Sequence, residues 1–301
     1  MQWRRLIAGA VAGALALAGC GGDDGGASGD AVTVVVTTTI LGDVVAELVG
    51  DEAEVVTIMP TGADPHDFAA SARDAAAARE ADLLITNGAG FEEGLLEIVD
   101  GAEADGVPVY EAITAVETLD RGDGTDPHFF TDPARMADAA RGITEELTRV
   151  VPGLDTAPVR ARAEAYVREL ESLDAEVEEI LSAIDRPDRV LITNHEVFDY
   201  FADRYGFEVV GTVIASTSTA EGASARDLVD LATTIEATGV PAIFADTTAP
   251  DDVARALADE VGRDVEVVDL YSESLGQEGS DAATYVAMVR TNAERIADAL
   301  G

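Results

Sequence analysis

Val32-Thr33-Val34-Val35-Val36-Thr37 is a β-branched run, and Glu54-Val55-Val56-Thr57-Ile58-Met59 is a second one. Val, Ile and Thr fit a pleated, half-buried surface, so both read as strands. Between them, Leu41, Val44, Val45 and Leu48 fall on one face of a helix over 40–49, and Gly50 stops it. Strand, helix, strand is the unit from which parallel sheets are built. Working outward, Asp82–Thr86 and Val107–Tyr110 read as further strands with helical stretches between them. The second half repeats the style. Strands are predicted over Arg189–Thr193, Glu208–Ile214, Pro241–Ala245 and Val265–Leu270, and helices over 196–205, 224–238, 250–261 and 281–299. A tetrapeptide recurs, Leu84-Ile85-Thr86-Asn87 and Leu191-Ile192-Thr193-Asn194, each time at a strand end. It suggests two similarly built halves.

A different element lies between the halves. Residues 157–184 hold no glycine, and no proline after Pro158. Val159, Tyr166, Leu170, Leu173, Val177, Ile180 and Ile184 recur there at helical spacing. Such a helix would be roughly 40 Å long. The expected fold class is therefore α/β: two lobes, each a mainly parallel sheet flanked by helices, joined by one long linking helix. The expected boundaries are an N-terminal lobe over 31–152, the linking helix within 153–186 and a C-terminal lobe over 187–301.

Composition narrows the partners. The chain has 301 residues, 47% of them apolar, and a formal net charge of −40. It contains no lysine at all. Nucleic-acid binding needs clustered Lys and Arg on phosphate, so no nucleic acid is expected. Direct adhesion to anionic headgroups is disfavoured for the same reason. A cation is the natural small partner. The single cysteine, Cys20, rules out an internal disulfide, and its place explains it. Arg4-Arg5 precedes a short apolar run, Leu6 to Ala18, that ends in Leu17-Ala18-Gly19-Cys20. The run is shorter than the ~20 residues that span a bilayer, and it fits the core of a secretory signal. Residues 1–19 are thus expected to be a signal peptide. A small-residue cleavage site directly before cysteine resembles the bacterial lipobox, which implies lipid attachment at Cys20. Residues 20–30 are Gly/Asp-rich and would tether the lipid anchor to the body, with a reach of roughly 17–19 Å.

The chain has three histidines, His66, His128 and His195. His66 ends a turn-rich stretch, Pro60-Thr61-Gly62-Ala63-Asp64-Pro65-His66, just past a strand. His195 follows the strand 189–193 directly and is expected to open a helix. His128 lies in Asp126-Pro127-His128-Phe129-Phe130-Thr131-Asp132-Pro133, where Thr131 or Asp132 can cap a helix with Pro133 in its first turn. In open α/β sheets the ligand crevice lies beyond the carboxyl ends of the strands. Imidazole suits zinc and other late divalent metals.

These residues carry a family resemblance along most of the body, from about residue 31 to 299. The chain resembles the cluster A-I solute-binding proteins, the zinc- and manganese-binding lipoproteins of ABC transporters. Ala63-Asp64-Pro65-His66-Asp67-Phe68 is similar to the family's first histidine motif. Ala81 to Gly88, with Phe91-Glu92, is similar to its strand and turn. Asp126-Pro127-His128 with Asp132-Pro133 resembles the second motif. Thr193-Asn194-His195-Glu196-Val197-Phe198-Asp199-Tyr200-Phe201 resembles the third. The resemblance implies a fourth ligand, a carboxylate in a loop after the last strand, and the matching position is Glu273. Asp246, which also ends a strand, is the alternative. The chain departs from the family pattern at Ala69–Asp74, where proline is usual, and at Phe129-Phe130 in place of a Val-Trp pair. It has no His-rich loop over Glu117–Asp126.

Three imidazoles and one carboxylate give a tetrahedral N₃O set, which matches zinc. Manganese prefers more oxygen, and the manganese members that this chain resembles carry a carboxylate where it has His195. Zinc is therefore the expected cargo, with manganese as the alternative. The resemblance implies a monomeric, extracytoplasmic carrier that docks on a membrane permease driven by a cytoplasmic ATPase. Two readings from other classes are the alternatives: a zinc hydrolase with Glu196 or Asp67 as base, and a metal-binding surface adhesin. No nucleophile motif or phosphate loop supports catalysis.

Overall fold

The computed structural model describes residues 32–121, 124–261 and 264–301. Cys20, the signal-type segment and the tether lie outside the described residues. The first half holds strands β1 (Thr33–Val36), β2 (Glu54–Thr57), β3 (Leu83–Thr86) and β4 (Val109–Glu111). They form a parallel sheet in the order β2-β1-β3-β4. Helices α1 (Thr39–Val49), α2 (Ala72–Glu80) and α3 (Leu96–Ala104) make the crossovers. Side chains alternate across a strand, and the core divides accordingly. Val34, Val36, Leu83 and Ile85 join one core with α1, and Val35 and Leu84 join another with Ala78, Leu95 and Ala102 of α2 and α3 and the segment just before α3.

A short hairpin of β5 (Asp120–Arg121) and β6 (Gly124–Thr125) leads into helix α4 (Pro133–Val150). Asp132 caps α4 as expected, accepting from the backbone N–H groups of Ala134 and Arg135. The second half holds β7 (Val190–Thr193), β8 (Glu208–Thr212), β9 (Ala242–Asp246) and β10 (Glu266–Leu270), in the order β10-β9-β7-β8 and again all parallel. Helices α6 (Asp199–Tyr205), α7 (Ala225–Thr238), α8 (Asp252–Glu260) and α9 (Tyr285–Leu300) accompany them. Counted within its own half, each sheet runs second-first-third-fourth, so the halves share one topology. The repeated tetrapeptide does not mark that likeness. It ends the third strand of the first half and the first strand of the second, which are not equivalent positions.

The long helix is α5, Ala157–Leu181, 25 residues and about 37 Å. It ends before the expected Ile184, and Arg189 supplies the reason. Its guanidinium donates to the carbonyl of Leu181 at 2.9 Å, of Ile184 at 3.3 Å and of Tyr205 at 2.7 Å. A side chain thus satisfies carbonyls that further helix would otherwise have to pair. α5 packs against α4, α1 and α9, so it touches elements of both halves. The inward faces of both sheets, α5 included, share one hydrophobic core, and residues 32–301 form one compact unit.

The expected helix over 196–205 also starts late, at Asp199. The N–H of Glu196 donates to the carbonyl of Ser216 at 2.9 Å, and Thr193 Oγ1 donates to the carbonyl of His195 at 2.7 Å. These local bonds hold 194–198 as a loop, so His195 sits in that loop and does not open the helix.

Candidate metal centre

Two of the three histidines are delivered by the same local device. In Asp64-Pro65-His66 and Asp126-Pro127-His128, the aspartate Oδ1 accepts from the backbone N–H of the histidine two residues on, at 2.9 Å in both. This is an Asx turn, and proline presets the backbone of its middle residue. The remaining aspartate contacts differ. Asp126 Oδ1 also lies 2.8 Å from His128 Nδ1. Asp64 Oδ2 accepts from Thr219 Oγ1 of the second half at 2.6 Å. His195 follows β7, and Glu273 follows β10, at the carboxyl ends of their strands.

The structure brings all four residues together. Glu273 Oε1 lies 2.8 Å from His66 Nε2, 3.0 Å from His195 Nε2 and 3.6 Å from His128 Nε2. One ligand atom from each residue fits within 4.8 Å of all the others. Donors at about 2.0–2.2 Å from a tetrahedral zinc lie roughly 3.3–3.6 Å apart, and these separations reach from just below that edge to its upper end. The cluster is buried: His66 is 5% exposed, Glu273 2%, and His128 and His195 0%. Phe91 stands edge-on to His66 and His128, with ring centroids 5.2 and 5.5 Å away, and Phe130 lies 5.9 Å from His128.

Burial and charge oppose each other here, and charge wins. Burial alone would lower the imidazole pKa values, but the Glu273 carboxylate, with Asp126 beside His128, raises all three above their usual 6.5. Burial alone would raise the Glu273 carboxyl, but the three imidazoles hold it well below 4.5. The site therefore prefers positive charge packed around one carboxylate.

Asp246 is not one of the four. It is buried at the end of β9, and Oδ1 accepts from the N–H and Oγ1 of Thr248 at 2.6 and 2.8 Å. Burial, with the neighbouring Glu273 charge adding to it, pushes Asp246 up to about 7. Of the two carboxylates considered as catalytic bases, Asp67 is exposed, and Glu196 lines a separate cleft with Val209–Thr212 and Asp227.

Behind the four donors stand groups to which the sequence alone assigns no role. Glu93 Oε1 is 3.3 Å from His66 Nδ1. Glu92 is buried and accepts from Thr37 Oγ1 at 2.5 Å and from the N–H of Asn87 at 2.6 Å. Asn87 Nδ2 donates to the carbonyl of Pro127 at 2.9 Å, which ties this loop to the His128 turn. Gly88 permits the loop. Its φ is +93°, and a Cβ there would sit 2.8 Å from Glu111 and Ile113 side-chain carbons. The repeated Asp-Pro-His was the available signal for Asp126.

Known proteins match along most of the chain. The model of the zinc-uptake complex component A periplasmic family (ZnuA) matches residues 34–299. The zinc-binding protein TroA of Treponema pallidum (strain Nichols) is 33% identical over 268 residues, covering 87% of this chain and 86% of TroA. The manganese-binding lipoprotein MntA of Halalkalibacterium halodurans is 30% identical over 263 residues, covering 87% of this chain and 86% of MntA. The solved structure of the periplasmic zinc-binding protein TroA from Treponema pallidum superposes with a TM-score of 0.85 at 31% identity, covering 90% of this chain and 99% of that one. With two like-built parallel sheets and a buried three-histidine, one-glutamate cluster between them, this chain belongs to the ZnuA family of metal-binding solute-binding proteins of ABC transporters.

Proposed function

We propose that this chain captures Zn²⁺ with His66, His128, His195 and Glu273 and hands it to an ABC permease powered by a cytoplasmic ATPase. The observation that carries the reading is the convergence of three imidazole Nε2 atoms on one buried carboxylate oxygen. Neutral imidazole and carboxylate are zinc donors, and four of them complete a tetrahedral site. A catalytic zinc keeps a position open for water, so the closed set favours a carrier over a hydrolase. Residues 31–152 and 187–301 act as two lobes, and the helix within 153–186 limits their motion. The protein works outside the cytoplasm as a monomer, held to the membrane by lipid on Cys20. No helix among the described residues is long and apolar enough to cross a membrane.

Manganese is a second reading, favoured by the likeness to the manganese-binding lipoprotein MntA. Metal analysis of the purified protein, with zinc and manganese in competition, separates the two. Zinc retained against excess manganese is expected. Manganese retained against zinc would overturn the choice of metal and leave the transport reading standing.

Two further results are expected. Metal ligation needs deprotonated imidazoles, and here their pKa values are raised above 6.5. The protonated form is therefore favoured as pH falls through that raised range, and protons compete with the ion. Zinc affinity should fall by about tenfold per pH unit for each proton displaced, read by competition titration between pH 5.5 and 8. Asp126 holds the ring of His128 through Nδ1. Asp126→Asn should cost about 10–100-fold in zinc affinity, and calorimetry giving the unmodified value would remove that role.

A further inference from the structure

The Glu273 carboxylate is held by other side chains through one of its two oxygens. Oε2 is buried and makes no hydrogen bond, and the hydrogen bonds to Oε1 come from His66 and His195. Its position therefore depends on the backbone that carries it. That backbone is pinned to the first half of the chain. The N–H of Leu275 donates to Thr39 Oγ1 on α1 at 3.0 Å, and Ser274 Oγ lies 3.2 Å from the same hydroxyl. Ser274 Oγ also accepts from the N–H of Gly62, in the loop that carries His66, at 2.8 Å.

One turn along α1, Asp43 Oδ2 accepts from the N–H of Tyr285 at 2.8 Å, where α9 begins. The Tyr285 hydroxyl donates to the carbonyl of Phe130, two residues past His128, at 2.8 Å. Residues four apart share a helix face, so Thr39 and Asp43 clamp both ends of the segment that follows Glu273. The three consecutive threonines have separate tasks. Thr37 binds Glu92, Thr38 caps α1 by accepting from the N–H of Leu41, and Thr39 reaches across to Leu275. Removing the Thr39 hydroxyl therefore leaves the helix cap in place.

We propose that Thr39 is a positioning residue for Glu273, fixing the carboxylate against the His66 loop so that these two ligands move together. The proposal rests on the metal-binding reading above. It acts without contact between Thr39 and the ion. A double-mutant cycle tests it, with zinc affinity measured by competition against a fluorescent chelator. Thr39→Val should weaken zinc about tenfold, in the range of changes to groups that orient ligands. In a Glu273→Ala background the same change should cost less than about twofold, because the group it positions is gone. Thr39→Ser should restore affinity, and Ser274→Ala should repeat the Thr39→Val result. An equal loss in both backgrounds, or no loss in the unmodified protein, would overturn the proposal. Failure of the unmodified protein to bind either zinc or manganese would instead remove the metal reading, and this proposal with it.

Discussion

Replacing His128 by alanine is expected to lower zinc affinity by more than about a hundredfold, beyond the cost of disturbing a group that merely orients a ligand. His128 is fully buried, and its Nδ1 is held by Asp126 at 2.8 Å. The change removes one donor of four. His66→Ala and His195→Ala should behave alike, since each imidazole sits within 3.0 Å of Glu273 Oε1. Calorimetry with zinc on the three single variants checks this. Unchanged affinity in all three would sink the site.

The second large effect is on stability. An ion that binds only the folded protein stabilises it by about 4 kcal/mol when present at a thousand times its dissociation constant. For a body of this size, each 1 kcal/mol moves the midpoint by roughly 2–4 °C. Zinc at that excess should therefore raise Tm by roughly 8–16 °C. Glu273→Gln should abolish most of the shift. The glutamine keeps the shape but loses the charge around which three imidazoles are packed. Scanning calorimetry with and without zinc reads both. A shift in the Glu273→Gln variant equal to that of the unmodified protein would place zinc elsewhere.

The strands and the helices between them were legible because their patterns are local. Val34 to Val36 and the stripe on α1 need nothing beyond periodicity. Element ends were less legible, because distant groups set them. α5 stops at Leu181 because Arg189 captures its carbonyl, and α6 starts at Asp199 because Ser216 takes the N–H of Glu196. The histidines were legible through strand ends and turn motifs. Glu273 was reached only through family resemblance, since among 59 acidic residues nothing local distinguishes it. Thr39 and Ser274 were not legible as partners of the site, because their roles come from contacts across the fold, whereas Asp126 lies two residues from His128 and had its signal in the repeated Asp-Pro-His.

Anomalous diffraction at the zinc edge, on crystals of the zinc-loaded protein, tests most directly whether one ion binds His66, His128, His195 and Glu273 between the two sheets. A single peak is expected about 2.0–2.2 Å from Nε2 of the three histidines and from a carboxylate oxygen of Glu273. A peak away from these residues, or one held by the histidines and water with Glu273 turned aside, would contradict it.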